Sequence, residues 1–316
     1  MLEITDLSVT LPMSGAGMPV LSGVSLALAR GESVGLVGES GSGKSMTALA
    51  IMGLLPPGAH TGGRVGFDGR DLLAAPEAAL CALRGRRIGM VFQEPMTALN
   101  PLMTIGAQVA EPLRLHLGLS RAEAGARAAA LLARVGLGPP RVSPDLYPHQ
   151  LSGGQRQRVV IAAALACGPD LLIADEPTTA LDVTVQAQVL DLLAELAAES
   201  GMALLLITHD LAVVSETVGR VQVMYAGRVV ESGSTAAVFA RMAHPYTRAL
   251  FAASPHASGD APAPIPGVMP DPRQRPPGCA FAPRCPRATD ACMRTVPPLS
   301  GAGDHLVACL HPHVAP

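Results

Sequence analysis

The chain has 316 residues, 49% of them apolar, a formal net charge of −2, five Phe, three Tyr and no Trp. Scattered arginines without a basic face, and so few rings on which bases could stack, argue against direct nucleic-acid binding. The longest apolar runs, such as 159–166 and 203–207, fall far short of the roughly 20 residues needed to span a bilayer. The start Met1-Leu2-Glu3 has no basic segment leading into an apolar one, so a cytoplasmic protein able to dock on a membrane partner is expected.

Residues 2–11 and 20–29 read as strands around a Gly/Pro/Met-rich turn at 12–19 and predict an edge sheet. The apolar run Val34-Gly35-Leu36-Val37 then leads into Gly38-Glu39-Ser40-Gly41-Ser42-Gly43-Lys44-Ser45, a complete GxxxxGK(S/T) phosphate-binding loop. It opens a helix-like stretch over 46–52, the strand, loop, helix context that the motif requires. Lys44 is the only lysine among 23 Lys and Arg residues. A compact ammonium reaches two phosphates where the planar fork of arginine would not. Strands over 87–92, 170–174, 203–208 and 221–225 alternate with helix-period segments near 106–136, 153–167 and 184–199, which implies a mostly parallel sheet covered by helices. The stretch 107–135, rich in Ala, Leu and Arg, is the best candidate for a helical insert. After about Ser254 the composition turns to Pro, Gly, Arg and Cys, marking a linker and a small appended region from Gly278 onward. No internal repeat is present, so one nucleotide-binding unit is expected.

A phosphate loop alone fits kinases, GTPases, helicases and transport ATPases about equally. The discriminating segment is Leu151-Ser152-Gly153-Gly154-Gln155 ahead of an amphipathic helix over 156–167. It places Ser152 and the glycine amides at a helix N-terminus, which attracts an anion; a plain glycine-rich helix cap is the alternative. Leu171-Leu172-Ile173-Ala174-Asp175-Glu176 is an apolar strand ending in two carboxylates. With these motifs in this order, the chain resembles the ATP-binding subunits of ABC transporters, whose signature is LSGGQ.

The resemblance covers roughly residues 1–235. It implies an α/β, P-loop ABC-type nucleotide-binding domain with a parallel-sheet core, an antiparallel β edge and a helical subdomain at roughly 94–167, followed by a C-terminal extension over 236–316. ATP and Mg²⁺ are the implied ligands. Gly38, Glu39, Ser40, Gly41, Ser42, Gly43, Lys44 and Ser45 would cradle the phosphates, and Ser45, Gln93 and Asp175 would hold the metal. Glu176 would polarise the attacking water, and His209, in Thr208-His209-Asp210, would contact the γ-phosphate. Gln93, in Val91-Phe92-Gln93-Glu94-Pro95, matches the glutamine loop that links the site to membrane subunits. Taken singly, a glutamine after a strand or a lone histidine is ordinarily structural, so these roles rest on position in the series. Ser152, Gly153, Gly154 and Gln155 would close over ATP held by a second ATPase subunit, identical or different, and Ala180-Leu181-Asp182 would cross that interface. The adenine-stacking aromatic usual near the end of the first strand is missing, since Leu11-Pro12 stand there and no aromatic precedes Phe67. Apolar contact from Leu11 or Val20 would substitute, with less base selectivity.

Further segments resemble the dipeptide/oligopeptide/nickel import group: 92–101 with 103–105, Tyr147-Pro148-His149-Gln150, 175–186, and above all His244-Pro245-Tyr246-Thr247-Arg248-Ala249-Leu250. A Pro at a helix start would by itself explain the last. The resemblance implies an ATPase energising peptide import, with nickel or another small solute as the alternative cargo. It would sit on the cytoplasmic face of the inner membrane with two permeases, a second ATPase and an extracytoplasmic solute-binding protein. A soluble ABC ATPase of DNA repair or translation is disfavoured, because neither long coiled coils nor tandem cassettes are present. Cys279, Cys285, Cys292 and Cys309 cluster in the extension, while Cys81 and Cys167 read as buried side chains. Four clustered thiols in a reducing compartment suggest a metal more than disulfides, although the spacing is not that of a zinc ribbon. Members of the resembled group can carry a 4Fe-4S cluster here; zinc and free thiols remain the alternatives.

Overall fold

A computed structural model of the chain describes residues 1–13, 17–179, 181–254 and 263–313. The first elements are β1 (Leu2–Leu11), β2 (Met18–Leu28), β3 (Ser33–Val37), α1 (Lys44–Met52), β4 (His60–Phe67) and β5 (Arg70–Asp71). Next come α2 (Glu77–Leu83), β6 (Ile88–Val91), α3 (Pro95–Ala98), α4 (Ile105–Leu117), α5 (Arg121–Arg134), α6 (Gly153–Leu165), β7 (Leu171–Asp175) and α7 (Val183–Ser200). The chain ends with β8 (Ala203–Thr208), α8 (Leu211–Thr217), β9 (Arg220–Tyr225), β10 (Arg228–Ser234), α9 (Thr235–Arg241), α10 (Pro245–Ala252), α11 (Asp290–Arg294), β11 (Ser300–Ala302) and β12 (His305–Val307). Contacts divide it into two units: Met1–Ala29, Ser33–Ala75 and Leu206–Pro316 form one, Arg30–Glu32 and Pro76–Leu205 the other.

In the first unit, β2-β1-β4-β5 make the antiparallel sheet expected at the edge. β1 buries Leu2 and Ile4 in alternation, then shifts register at Asp6, whose φ of 49° lies in the left-handed region. The shift keeps Leu7 and Val9, rather than Asp6 and Ser8, in the core. A second set of strands runs β11-β12-β10-β9-β3, with β9 and β3 parallel and the rest antiparallel.

The strands β4, β5, β10, β11 and β12 have no counterpart in the sequence expectations. β4 is masked by Gly62, Gly63 and Gly66, and β10 by a charged residue at a core position, Glu231. That carboxylate is fully buried and accepts hydrogen bonds from the amides of Ala243 (2.7 Å) and His244 (2.9 Å). His305 Nε2, from the C-terminal hairpin, lies 2.8 Å from Glu231 Oε1, the oxygen that also accepts from Ala243. The region expected to be merely appended is therefore stitched into the sheet through β12 and anchored by a buried acid. Glu231→Ala leaves two amides and an imidazole without their acceptor, and is expected to cost about 3–5 kcal/mol. Denaturant unfolding measures it; a loss below about 1 kcal/mol, the scale of a neutral hydrogen bond, contradicts the anchoring role.

In the second unit, β6 and β7 are neighbours and pair in parallel with every residue buried, as befits strands covered on both faces. The single helical stretch expected near 106–136 is two helices. α4 stops at Gly118, left-handed at φ 66°, and α5 starts on a capping box in which Ser120 and Glu123 bond each other's backbone N–H. α4 and α5 pack together and against α6.

Candidate nucleotide-binding site

The phosphate-binding loop runs from β3 to α1 in the first unit, in the context the sequence demands. Its glycines are sterically required at two points. A Cβ on Gly38 would stand 2.3 Å from the Met224 carbonyl oxygen, and one on Gly43 (φ 107°) would stand 2.5 Å from Leu21 Cδ2. Backbone bonds brace the loop: Ser42 N–H donates to Glu39 O (3.1 Å) and Gly227 N–H to Ser42 O (2.8 Å). Lys44, only 4% exposed, donates from Nζ to the carbonyls of Gly38 (2.7 Å) and Glu39 (3.1 Å). Its ammonium is thereby fixed against two carbonyls of the loop, and Lys44 itself opens α1, whose N-terminal dipole also favours an anion. Ser45, half-buried, is the next residue of that helix. His209, just past the end of β8, also belongs to the first unit and is exposed.

Two predicted residues meet in the second unit. Gln93 Nε2 donates to Glu176 Oε2 at 3.2 Å, and Thr179 Oγ1 donates to the same oxygen at 3.0 Å. With its N–H turned to Glu176, the Gln93 amide keeps its oxygen for a cation. Glu176 adopts a left-handed backbone, φ 45°, just after the strand that ends in Asp175. That conformation costs a side-chain-bearing residue about 1–3 kcal/mol, and such strain gathers where function fixes a side chain's direction. Asp175 itself is 5% exposed. Hydroxyl, amide and carboxylate oxygens from Ser45, Gln93 and Asp175 are hard donors of the kind magnesium takes.

The pentapeptide 151–155 lies at the start of a helix, as expected, but α6 spans Gly153–Leu165 rather than 156–167, so Ser152 is the cap and Gly153, Gly154 and Gln155 form the first turn. Ser152 Oγ accepts from the Gln155 amide (3.3 Å) while Gln155 Oε1 accepts from the Ser152 amide (2.9 Å). Ser152 and Gly153 are exposed. Gly154 has a packing reason that the sequence hid, since a Cβ there would come within 2.6 Å of Val185 on α7. Asp182 caps α7 through the Val185 amide (3.0 Å), while Ala180 lies outside the described residues.

In the C-terminal segment His244 caps α10, its Nδ1 accepting from the Tyr246 amide at 3.0 Å, with Pro245 in the first turn. Burial lowers the His244 pKa to about 3, so the ring stays neutral and remains an acceptor. Cys279, Cys285, Cys292 and Cys309 all line one small cavity with His244 and His311. Burial raises the pKa of Cys279, Cys285 and Cys309, and backbone amides two or three residues on oppose it: Phe281 and Ala282 at Cys279, Arg287 at Cys285, His311 at Cys309. N–H groups aimed at sulfur suit thiolates that bind a soft metal. The convergence stops short of coordination, for among the described residues no group of three or more His, Cys, Asp or Glu is arranged to hold a metal ion. Cys81 departs from expectation: it is exposed on α2, its Sγ 3.4 Å from Glu77 Oε1, because that helix buries only Leu80 and Leu83. Cys167 is half-buried.

Residues 21–179 match the family described as ABC transporter. The chain belongs to that family. Residues 230–292 match a second description, the oligopeptide/dipeptide transporter C-terminal region. Among similar proteins is the dipeptide transport ATP-binding protein DppD of Escherichia coli, 48% identical over 96% of this chain and 94% of that protein. The oligopeptide transport ATP-binding protein OppD of Salmonella typhimurium is 46% identical over 99% of this chain and 94% of its own length. A solved dimeric ATP-binding cassette with bound ADP and phosphate superposes with a TM-score of 0.67 and 33% identity, over 74% of this chain and 99% of that one. This ABC transporter family member has, among its described residues, no helix long and apolar enough to cross a membrane.

Proposed function

We propose that this ABC protein is the ATP-hydrolysing subunit that energises uptake of di- and oligopeptides through a membrane importer. The observation that carries the reading is the transporter-type C-terminal region at 230–292 following an ABC cassette, a pairing shared with relatives named for dipeptide and oligopeptide transport. In this reading the nucleotide-binding domain extends to about residue 235, with its helical subdomain roughly over 94–167, and residues 236–316 form the extension. Lys44, Ser45 and the amides of Gly38 to Gly43 take the phosphates, and Ser45, Gln93 and Asp175 hold magnesium, which neutralises phosphate charge. Glu176 orients the attacking water and accepts its proton as the bond to the γ-phosphorus forms and ADP departs, while His209 donates toward the γ-phosphate. Ser152, Gly153, Gly154 and Gln155 serve the nucleotide of a second ATPase subunit. Two permeases and an extracytoplasmic binding protein complete the importer, which keeps this chain peripheral on the cytoplasmic face. Leu11 or Val20 contacts the adenine in place of a ring.

The four cysteines are read as ligands of a structural 4Fe-4S cluster, with zinc as the alternative, supported by their shared cavity and the amides aimed at the sulfurs of Cys279, Cys285 and Cys309. Anaerobically purified protein then contains iron; its absence removes the cluster. The cargo is tested by uptake of a labelled dipeptide and of nickel in a strain lacking this subunit. Loss of peptide uptake with nickel uptake intact supports the reading, and the reverse replaces the cargo.

A further inference from the structure

The phosphate-binding loop is held by residues that lie far beyond the cassette in sequence. Glu39, one of the four unspecified positions in the GxxxxGK pattern, is gripped at its amide, its carbonyl and its side chain. Its amide donates to Tyr246 Oη at 2.8 Å. Its carbonyl accepts from Lys44 Nζ and the Ser42 amide, both at 3.1 Å. Its carboxylate accepts two bonds from Arg284, Nη1 to Oε2 at 2.8 Å and Nη2 to Oε1 at 3.1 Å. This fork-to-fork geometry adds direction as well as charge.

Arg284 is built for this contact. Its side chain is 5% exposed, and its remaining N–H groups go to the carbonyls of Pro266 (2.7 Å) and Ile265 (3.3 Å) and to Tyr225 Oη (3.3 Å). Burial disfavours its charge, but the Glu39 carboxylate and the Tyr225 hydroxyl together outweigh that and raise its pKa above the ordinary value. The rings behind it, Tyr225, Tyr246 and Phe281, pack edge-on or tilted at centroid distances of 4.6 to 5.4 Å, leaving Tyr246 little freedom to move its hydroxyl. Arg284 immediately precedes Cys285, so the grip on the loop is continuous with the cysteine-bearing segment.

We infer that Arg284 and Tyr246 are positioning residues for the phosphate-binding loop, acting through Glu39 to set nucleotide affinity. The inference rests on the reading of that loop as the ATP site. Two effects combine. The contacts pre-order a glycine-rich loop before nucleotide arrives, lowering the entropy lost on binding. Pairing with Arg284 also neutralises a carboxylate that would otherwise face the incoming triphosphate.

The test is equilibrium binding of MgATP to the full-length chain by calorimetry. Arg284→Ala is expected to raise the Kd roughly ten- to a hundredfold. Adding Glu39→Gln to that variant removes the unpaired charge but not the lost ordering, so it should recover part of the affinity, at least about threefold over Arg284→Ala, a recovery that a merely structural role for Arg284 would not produce. Tyr246→Phe, which deletes one oxygen and keeps the ring, should raise the Kd about three- to tenfold while lowering the melting temperature by only a few degrees. An Arg284→Ala Kd within about twofold of wild type, or no recovery in the double variant, overturns the inference. Should Arg284→Ala not fold, an unchanged Kd for Tyr246→Phe overturns it. A wild-type chain that binds no MgATP defeats instead the assignment of the loop as the ATP site.

Discussion

Glu176→Gln is expected to lower ATP turnover by roughly 10²–10⁴-fold while ATP binding persists, the range seen when a positioned general base is lost. Glutamine matches glutamate in shape, so the left-handed backbone at φ 45° and the turn bond from the Thr179 amide to the Glu176 carbonyl, 3.1 Å, survive the exchange. What changes is the acceptor. Oε2 takes hydrogen bonds from both Gln93 and Thr179, and a neutral amide can neither take up a proton from water nor accept as strongly. ATP-loaded pairs of subunits should therefore accumulate, visible as an ATP-dependent dimer by sedimentation. Turnover within about tenfold of wild type would remove Glu176 from the proposed role.

Lys44→Ala is expected to abolish ATP-driven transport, with ATPase activity reduced at least about 10²–10³-fold, the loss typical when one charge-stabilising donor is removed. Lys44→Arg should fail nearly as badly. Lys44 is 4% exposed and its ammonium bonds two carbonyls at 2.7 and 3.1 Å, an arrangement that the bulkier planar fork of a guanidinium does not match. Neither change touches the segment around Cys279 to Cys309, so any metal content should match wild type. ATPase assay and metal analysis on one preparation check both halves of the expectation. Substantial activity in Lys44→Ala would detach the loop from the chemistry.

Much of the site was legible because its parts are contiguous. A phosphate cradle uses successive backbone amides, so eight adjacent residues specify it, and a helix cap such as Ser152 with Gln155 is written within four. The break between α4 and α5 was also written locally, in Gly118 and the Ser120–Glu123 box, but a uniform Ala/Leu run on either side concealed it. Strand β10 was missed for the opposite reason. Its Glu231 contradicts an apolar pattern and makes sense only once Ala243, His244 and His305 surround it.

From one strand of letters, then, came the family, the phosphate loop and the paired carboxylates, because short-range chemistry constrains neighbouring residues directly. Glu39 is the contrary case: the motif leaves its identity open, and its partners stand 207 and 245 residues away at Tyr246 and Arg284. Nothing local marks such contacts, since they depend on how β9, α10 and the C-terminal turns pack around one aromatic cluster. Tertiary packing alone decided that the far end of the chain grips the loop that opens its cassette.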